Sequence, residues 1–346
     1  MMECEWLIIG AGPAGCTAAM TLKELGVDDV VVIDRLSPEA HARYHSICGE
    51  AVSDRMFDRI GYHPDCILKR VSSISIDFPG NASISIPVDG SIVDRNAMMT
   101  DLRSRSNAEF VRTTVLSVRR EGDGFIVETN SGQYRCRYLV GADGACSVVR
   151  RDIFGYKPEK VIPIINNIVP GDGGDVLRFI VSSKYNGGYK WEFPSSEGLM
   201  SVGYPKGTDN IVDPVSTGAR NMPIGKPPSV VKGNCCIIGD AACLANPLCF
   251  GGIGTAMLSA RKAIRAMNKG TPQEYDRWVR KDRMFSDRFM RAHRTFVEWD
   301  DEDIADAMEP FRGKQYSVFR GLLSILRRPR WGNVYLCCWA GFSKGW

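Results

Sequence analysis

Near the start of the chain Gly10-Ala11-Gly12-Pro13-Ala14-Gly15 has the spacing Gly-x-Gly-x-x-Gly. Glycine at these positions permits a tight turn, lets the backbone approach a pyrophosphate, and lets a helix pack closely on a strand. A strand-like run (residues 4–9) precedes the motif and a helix-like run (14–25) follows it. The free N–H groups and positive dipole of that helix then face phosphates. Asp34 lies 24 residues after Gly10, at the end of a β-branched apolar run over 30–33, where a carboxylate accepts from ribose hydroxyls. The three features together predict a dinucleotide site.

Two later segments extend it. Tyr138-Leu139-Val140-Gly141-Ala142-Asp143-Gly144 runs on to Arg150, and Gly239-Asp240-Ala241-Ala242 is followed by Pro247 and Gly251-Gly252-Ile253-Gly254. In the second of these, a strand delivers an acid beside a ribityl chain. A glycine-rich helix start follows, and its dipole suits the anionic edge of a reduced flavin.

In this order the motifs Gly10–Gly15, Asp34-Arg35, Asp143-Gly144 and Gly239–Ala242 resemble the FAD-dependent oxidoreductases of the p-hydroxybenzoate hydroxylase type, over roughly residues 4–268. Two further segments resemble the geranylgeranyl reductases among them. Cys48-Gly49-Glu50 is similar to their Cys-Gly-Glu signature, and Tyr189-Lys190-Trp191-Glu192-Phe193-Pro194 to their Tyr-x-Trp-x-Phe-Pro motif. The resemblance implies FAD contacts at Gly10, Gly12, Ala14, Gly15, Asp34, Arg35, Cys48, Gly49, Ala51, Arg95, Val115, Asp240, Gly252 and Ile253. It implies a substrate wall at Tyr189, Trp191 and Phe193, whose alternation along a strand points all three to one face. It also places Cys48 beside the flavin ring as a candidate proton donor, with Glu50 the weaker candidate. Two departures are visible: Asp34 stands where glutamate is usual, and the stretch between Pro194 and Gly239 is short, so a helix over the substrate cavity is expected to be missing.

The elements that must position these residues read as a mixed α/β chain. A Rossmann-like, parallel-sheet FAD unit is expected over residues 1–70, 93–160 and 232–270. An antiparallel substrate unit is inserted at 71–92 and 161–231, and a helical region covers 271–346. Residues 72–88 alternate with period two around Pro79-Gly80-Asn81, which predicts a hairpin. Residues 205–230 are rich in Gly and Pro with little periodicity. Tyr275, Trp278, Val279, Phe285 and Phe289 fall on one helical face.

Composition excludes several classes. At 346 residues, 44% hydrophobic and 24% charged, the chain has an ordinary globular make-up, not a disordered one. Lys+Arg minus Asp+Glu is 44 − 40 = +4, too weak and too spread a bias for nucleic acid. No secretory signal or membrane span is expected. Twelve cysteines without a C-x-x-C pair imply a reducing, cytoplasmic setting and no metal site.

The expected activity is FAD-dependent reduction of isolated C=C bonds in a polyprenyl chain on a diphosphate or glycerolipid. The electron donor is open among NADPH, ferredoxin and a deazaflavin. Three alternatives stand beside it: a flavin monooxygenase, for which Asp143-Gly144 with Arg150 would meet NADPH, a halogenase, and a flavoprotein that binds without turnover. The tail from Phe319 to Trp346 joins Leu322, Leu323, Ile325 and Leu326 to Arg320, Arg327, Arg328 and Arg330, then Trp331, Tyr335, Trp339 and Trp346. Such a mixture suits an anionic lipid interface, and it equally suits packing of the helix on the flavin unit.

Overall fold

A computed structural model describes residues 1–311 and 317–343. Trp346 and the side chains of Arg320 and Trp339 therefore lie outside the described residues. The strands form two sheets, and each sheet carries its own hydrophobic core.

In the first sheet Met2–Ile9 is flanked in parallel by Val30–Asp34 and Gly132–Gly141. Glu109–Arg112 and Cys235–Ile237 extend it, also in parallel. The central strands are near-continuous apolar runs because both faces are buried, as a parallel sheet requires. Register aligns the strand ends. Ile9 sits opposite both Ile33 and Gly141, and Gly141 opposite Ile237. The loops that begin at Gly10, Asp34, Ala142 and Ile238 therefore leave the sheet along one edge, the C-terminal edge where open α/β sheets bind ligands.

The second sheet runs, in spatial order, Ser216–Ile224, Lys160–Pro170, Leu199–Pro205, Lys190–Pro194, Val176–Ile180, Ile67–Phe78, Ala82–Val93 and Ala51–Ser53. All its pairs are antiparallel except Val176–Ile180 with Ile67–Phe78. The hairpin expected at Pro79-Gly80-Asn81 is present, joining Phe78 to Ala82.

Three details differ from the sequence reading. The Gly/Pro-rich stretch contains a regular edge strand, Ser216–Ile224, in register with Lys160–Ile168. Long-range pairing supplies the order that its local propensity lacks. Ala51–Ser53, read within the flavin segment, pairs instead with Ala82–Val93 of the second sheet. The single helical face of residues 275–289 is broken into helices Gln273–Lys281 and Asp287–Glu298, because Asp282 and Ser286 cap new helix starts by accepting from the N–H groups of Met284 and Arg288. The tail helices join the core of the second sheet through Trp331, Val334 and Tyr335. None of the described helices is long and apolar enough to cross a membrane.

Candidate active site

A cavity of about 490 Å³ opens between the C-terminal edge of the first sheet and the face of the second. The first sheet's loops bring Gly10, Gly12, Ala14, Asp34 and Arg35 onto one wall, with Val115 at the far end. The later loop adds Asp240, Gly252 and Ile253, and the first turn of helix Arg95–Ser104 adds Arg95. Cys48, Gly49 and Ala51 meet them from the segment before Ala51–Ser53. Gly15 sits one layer behind. A Cβ there would lie 1.8 Å from the Gly10 carbonyl oxygen, so the helix packs against the turn only because the side chain is absent. Gly10 has φ +104°, and a Cβ on it would meet the Ala142 carbonyl.

The polar groups on this wall test whether a flavin dinucleotide fits. Asp34 accepts from Ala11 N–H and Leu36 N–H, each at 2.8 Å, which fixes the carboxylate at the strand end with lone pairs to spare for hydroxyl groups. Asp143 accepts from Val148 N–H and Val149 N–H through Oδ2, at 2.7 and 3.2 Å, while its Oδ1 is buried without a partner. Arg95 is 4% exposed and its Nε is likewise buried without a partner. Burial raises the pKa of Asp143 and Asp240, and for Asp240 the guanidinium groups of Arg220, Arg95 and Arg150 oppose the rise. Orphaned buried donors and acceptors are costly unless something pairs with them. A glycine cradle on a helix start, a ribose-facing acid and these orphans fit a bound dinucleotide.

Arg150 does other work than the sequence reading allowed. It is 5% exposed and donates to the carbonyls of Asp240 and Ala241 at 3.3 and 2.9 Å, and to that of Ala145. It clips two of the loops together from inside the protein.

The opposite wall is apolar. Tyr189, Trp191 and Phe193 all line the cavity, at 6–7% exposure, while Lys190 and Glu192 point to the other face and pair at 3.1 Å. Trp191 lies opposite Gly203, and a Cβ on Gly203 would fall inside the indole ring's place. Phe193 and Trp191 close on Gly49 in the same way, which ties this wall to the Cys48 loop. Tyr189 donates to the Cys249 carbonyl at 2.6 Å and stacks on Phe250. Between Pro194 and Gly239 no helix occurs, as the short sequence implied.

Where the walls meet stands Glu50, at φ +56° and with its carboxyl raised to about 7 by burial, a rise opposed by Arg95. Its Oε1 faces the Arg95 N–H at 3.4 Å. Sequence reasoning missed His45, Arg220 and Asn166 on the same cavity, since none belongs to a spaced motif.

Comparison with known proteins agrees with this geometry. Residues 3–76 match the family model of the FAD binding domain. The chain is 26% identical over 302 residues to digeranylgeranylglycerophospholipid reductase 1 of Methanopyrus kandleri, covering 76% of this chain and 80% of the relative. It is 26% identical over 369 residues to digeranylgeranylglycerophospholipid reductase 3 of Methanosphaera stadtmanae, covering 94% and 87%. A geranylgeranyl bacteriochlorophyll reductase-like structure from Thermoplasma acidophilum superposes with TM-score 0.78 at 19% identity, over 95% of this chain and 97% of that one. The protein is a FAD-dependent oxidoreductase, and it is similar along most of its length to the geranylgeranyl reductases.

Proposed function

We propose that this protein reduces the isolated C=C bonds of geranylgeranyl chains carried on a glycerophospholipid, the substrate that its relatives' names print. The observation that carries the reading is the union of two walls in one cavity: dinucleotide loops on one side and the buried strip Tyr189, Trp191 and Phe193 on the other. FAD, once reduced by the external electron donor, would supply the hydride. The chain's own residues hold the polyprenyl segment dry and aligned, which is proximity and orientation, and they supply the proton that an isolated alkene needs. Of the protic groups on the cavity, Cys48 and Glu50 are the ones proposed for that task. Glu50 gains weight from the structure, because a carboxyl raised to about 7 still carries a proton near neutral pH. Gly10, Gly12, Ala14, Asp34, Arg35, Arg95, Val115, Asp240, Gly252 and Ile253 are the proposed cofactor contacts.

The test is mass spectrometry of geranylgeranyl glycerolipids after anaerobic incubation with chemically reduced protein. Mass gains in steps of two hydrogens support the reading. Product formation that requires oxygen would replace it with a monooxygenase.

A peripheral lipid contact belongs to the same reading, on a changed basis. Arg328 is paired with Asp306 and Glu309, Arg330 with Asp303, and Trp331 and Tyr335 are buried. Helix Val318–Arg327 exposes Phe319, Leu322 and Leu326, one face at spacings of three and four, together with Arg327. Co-sedimentation with vesicles should fall when the three apolar residues become serine, and failure of the parent to sediment with either neutral or anionic vesicles would leave the helix as packing alone.

A further inference from the structure

The motifs account for Gly10–Gly15, Asp34 and Arg95, yet the imidazole of His45 and the guanidinium of Arg220, both on the cavity, remain unused. His45 is 5% exposed, and its Nδ1 is buried without a hydrogen-bond partner. Its ring stands against Gly12, with Cε1 3.3 Å from the place of a Cβ there. Gly12 is the N-cap of helix Pro13–Glu24, and no side chain caps that helix start. The imidazole thus shares the space into which the helix's unpaired N–H groups point.

Arg220 arrives from the other sheet. It lies on the edge strand Ser216–Ile224 opposite Ile164, half-buried, with its guanidinium 4.5 Å from the ring centroid of Tyr44, the residue before His45. Among the described residues neither Arg220 nor the buried Arg95 forms an ion pair with a carboxylate. The three groups are near one another. Burial, then the charges of Arg95 and Arg220, push His45 toward its neutral form, and burial followed by Arg220 lowers the pKa of Arg95. Asp240 and Glu50 lie near enough to act on Arg95, and Asp240 on Arg220, but neither forms a contact ion pair with them, so two guanidinium groups and an imidazole with an orphaned nitrogen are left to face a further anion.

We propose that His45 and Arg220, together with Arg95, form the anion site for the FAD diphosphate, so that the second sheet grips the cofactor as well as the dinucleotide fold. The diphosphate carries two negative charges that the two guanidinium groups meet directly, with Asp240 and Glu50 at longer range, and a neutral His45 adds a hydrogen bond. A diphosphate clasped from both sheets would also hold the walls of the cavity at a fixed spacing.

The experiment is fluorescence-quenching titration of apoprotein with FAD and, separately, with riboflavin, which lacks phosphate. Arg220→Gln should weaken FAD binding about tenfold or more, flatten its dependence on ionic strength, and leave riboflavin binding unchanged. Arg220→Lys should keep most of the ionic-strength dependence, and His45→Phe should weaken FAD several-fold without altering that dependence. Parental FAD affinity in Arg220→Gln overturns the proposal, including the case in which only the KM for a phosphorylated lipid rises, since the arginine would then serve the substrate headgroup. An equal loss for riboflavin and FAD overturns it too, because that pattern marks a structural role. Arg178→Gln, remote on the same sheet and ion-paired with Asp77 and Glu192, is the control and should bind FAD as the parent does.

Discussion

The two walls of the cavity are built on opposite principles. On the dinucleotide wall, backbone does the binding: side chains are removed at Gly10, Gly12 and Gly15, and polar atoms such as Arg95 Nε and Asp143 Oδ1 are left without partners. On the aromatic wall, side chains do everything, and their polar atoms are satisfied within the protein, Tyr189 on Cys249 and Trp191 Nε1 on Ser201 at 3.3 Å. The first wall is unfinished until a ligand pairs with it. The second is complete as it stands, and it offers a ligand only shape and dryness. In the function proposed above, polar recognition would belong to the cofactor side and substrate selection would rest on the fit of apolar surface.

That contrast can be broken most severely at Gly15. Gly15→Ala places a Cβ where the Gly10 carbonyl stands, at 1.8 Å, so the turn and the helix start must separate. Complete loss of bound FAD is expected, read from the absorbance of the purified protein. A variant that stays yellow would show that the wall tolerates side chains after all.

The next effect lies where the walls meet. If Glu50 or Cys48 supplies the proton, its removal lowers alkene reduction by about 10²–10⁴-fold with FAD retained, so Glu50→Gln and Cys48→Ala separate the two. Glu50 predicts a pH signature as well. Its raised carboxyl pKa means the protonated form is favoured in the folded state. Its contribution to stability is full below about 4.5 and is lost as pH rises through about 7. Activity should fall over the same upper limb. In Glu50→Gln both dependences should flatten, and a parental pH profile there would return the proton to Cys48.

A substitution on the aromatic wall should do the reverse of one on the glycine wall. Trp191→Ala removes a side chain 7% exposed and opens a cavity over Gly203, costing about 3–5 kcal/mol in thermal unfolding. FAD content should nevertheless persist while lipid turnover is lost. The smallest expected effect is Asp34→Ala, about 1.5–3 kcal/mol in FAD affinity as for a charge-assisted hydrogen bond. Part of that loss comes through the turn, since the carboxylate also holds Ala11 and Leu36.

The sequence alone carried the glycine wall, because a backbone that must approach a phosphate leaves a spaced signature: Gly10–Gly15 with Asp34, then Asp143-Gly144 and Gly239–Ala242. Strand alternation also carried the common face of Tyr189, Trp191 and Phe193. Whether that face lines a cavity or a closed core was decided only by the packing of one sheet against the edge of the other. The same holds for the edge strand Ser216–Ile224, whose composition is that of a loop and whose order comes from residues some fifty positions away. It holds as well for Glu50, His45 and Arg220. A raised carboxyl, an orphaned imidazole nitrogen and an unpaired guanidinium are properties of surroundings, and those surroundings are assembled from segments that no local pattern links.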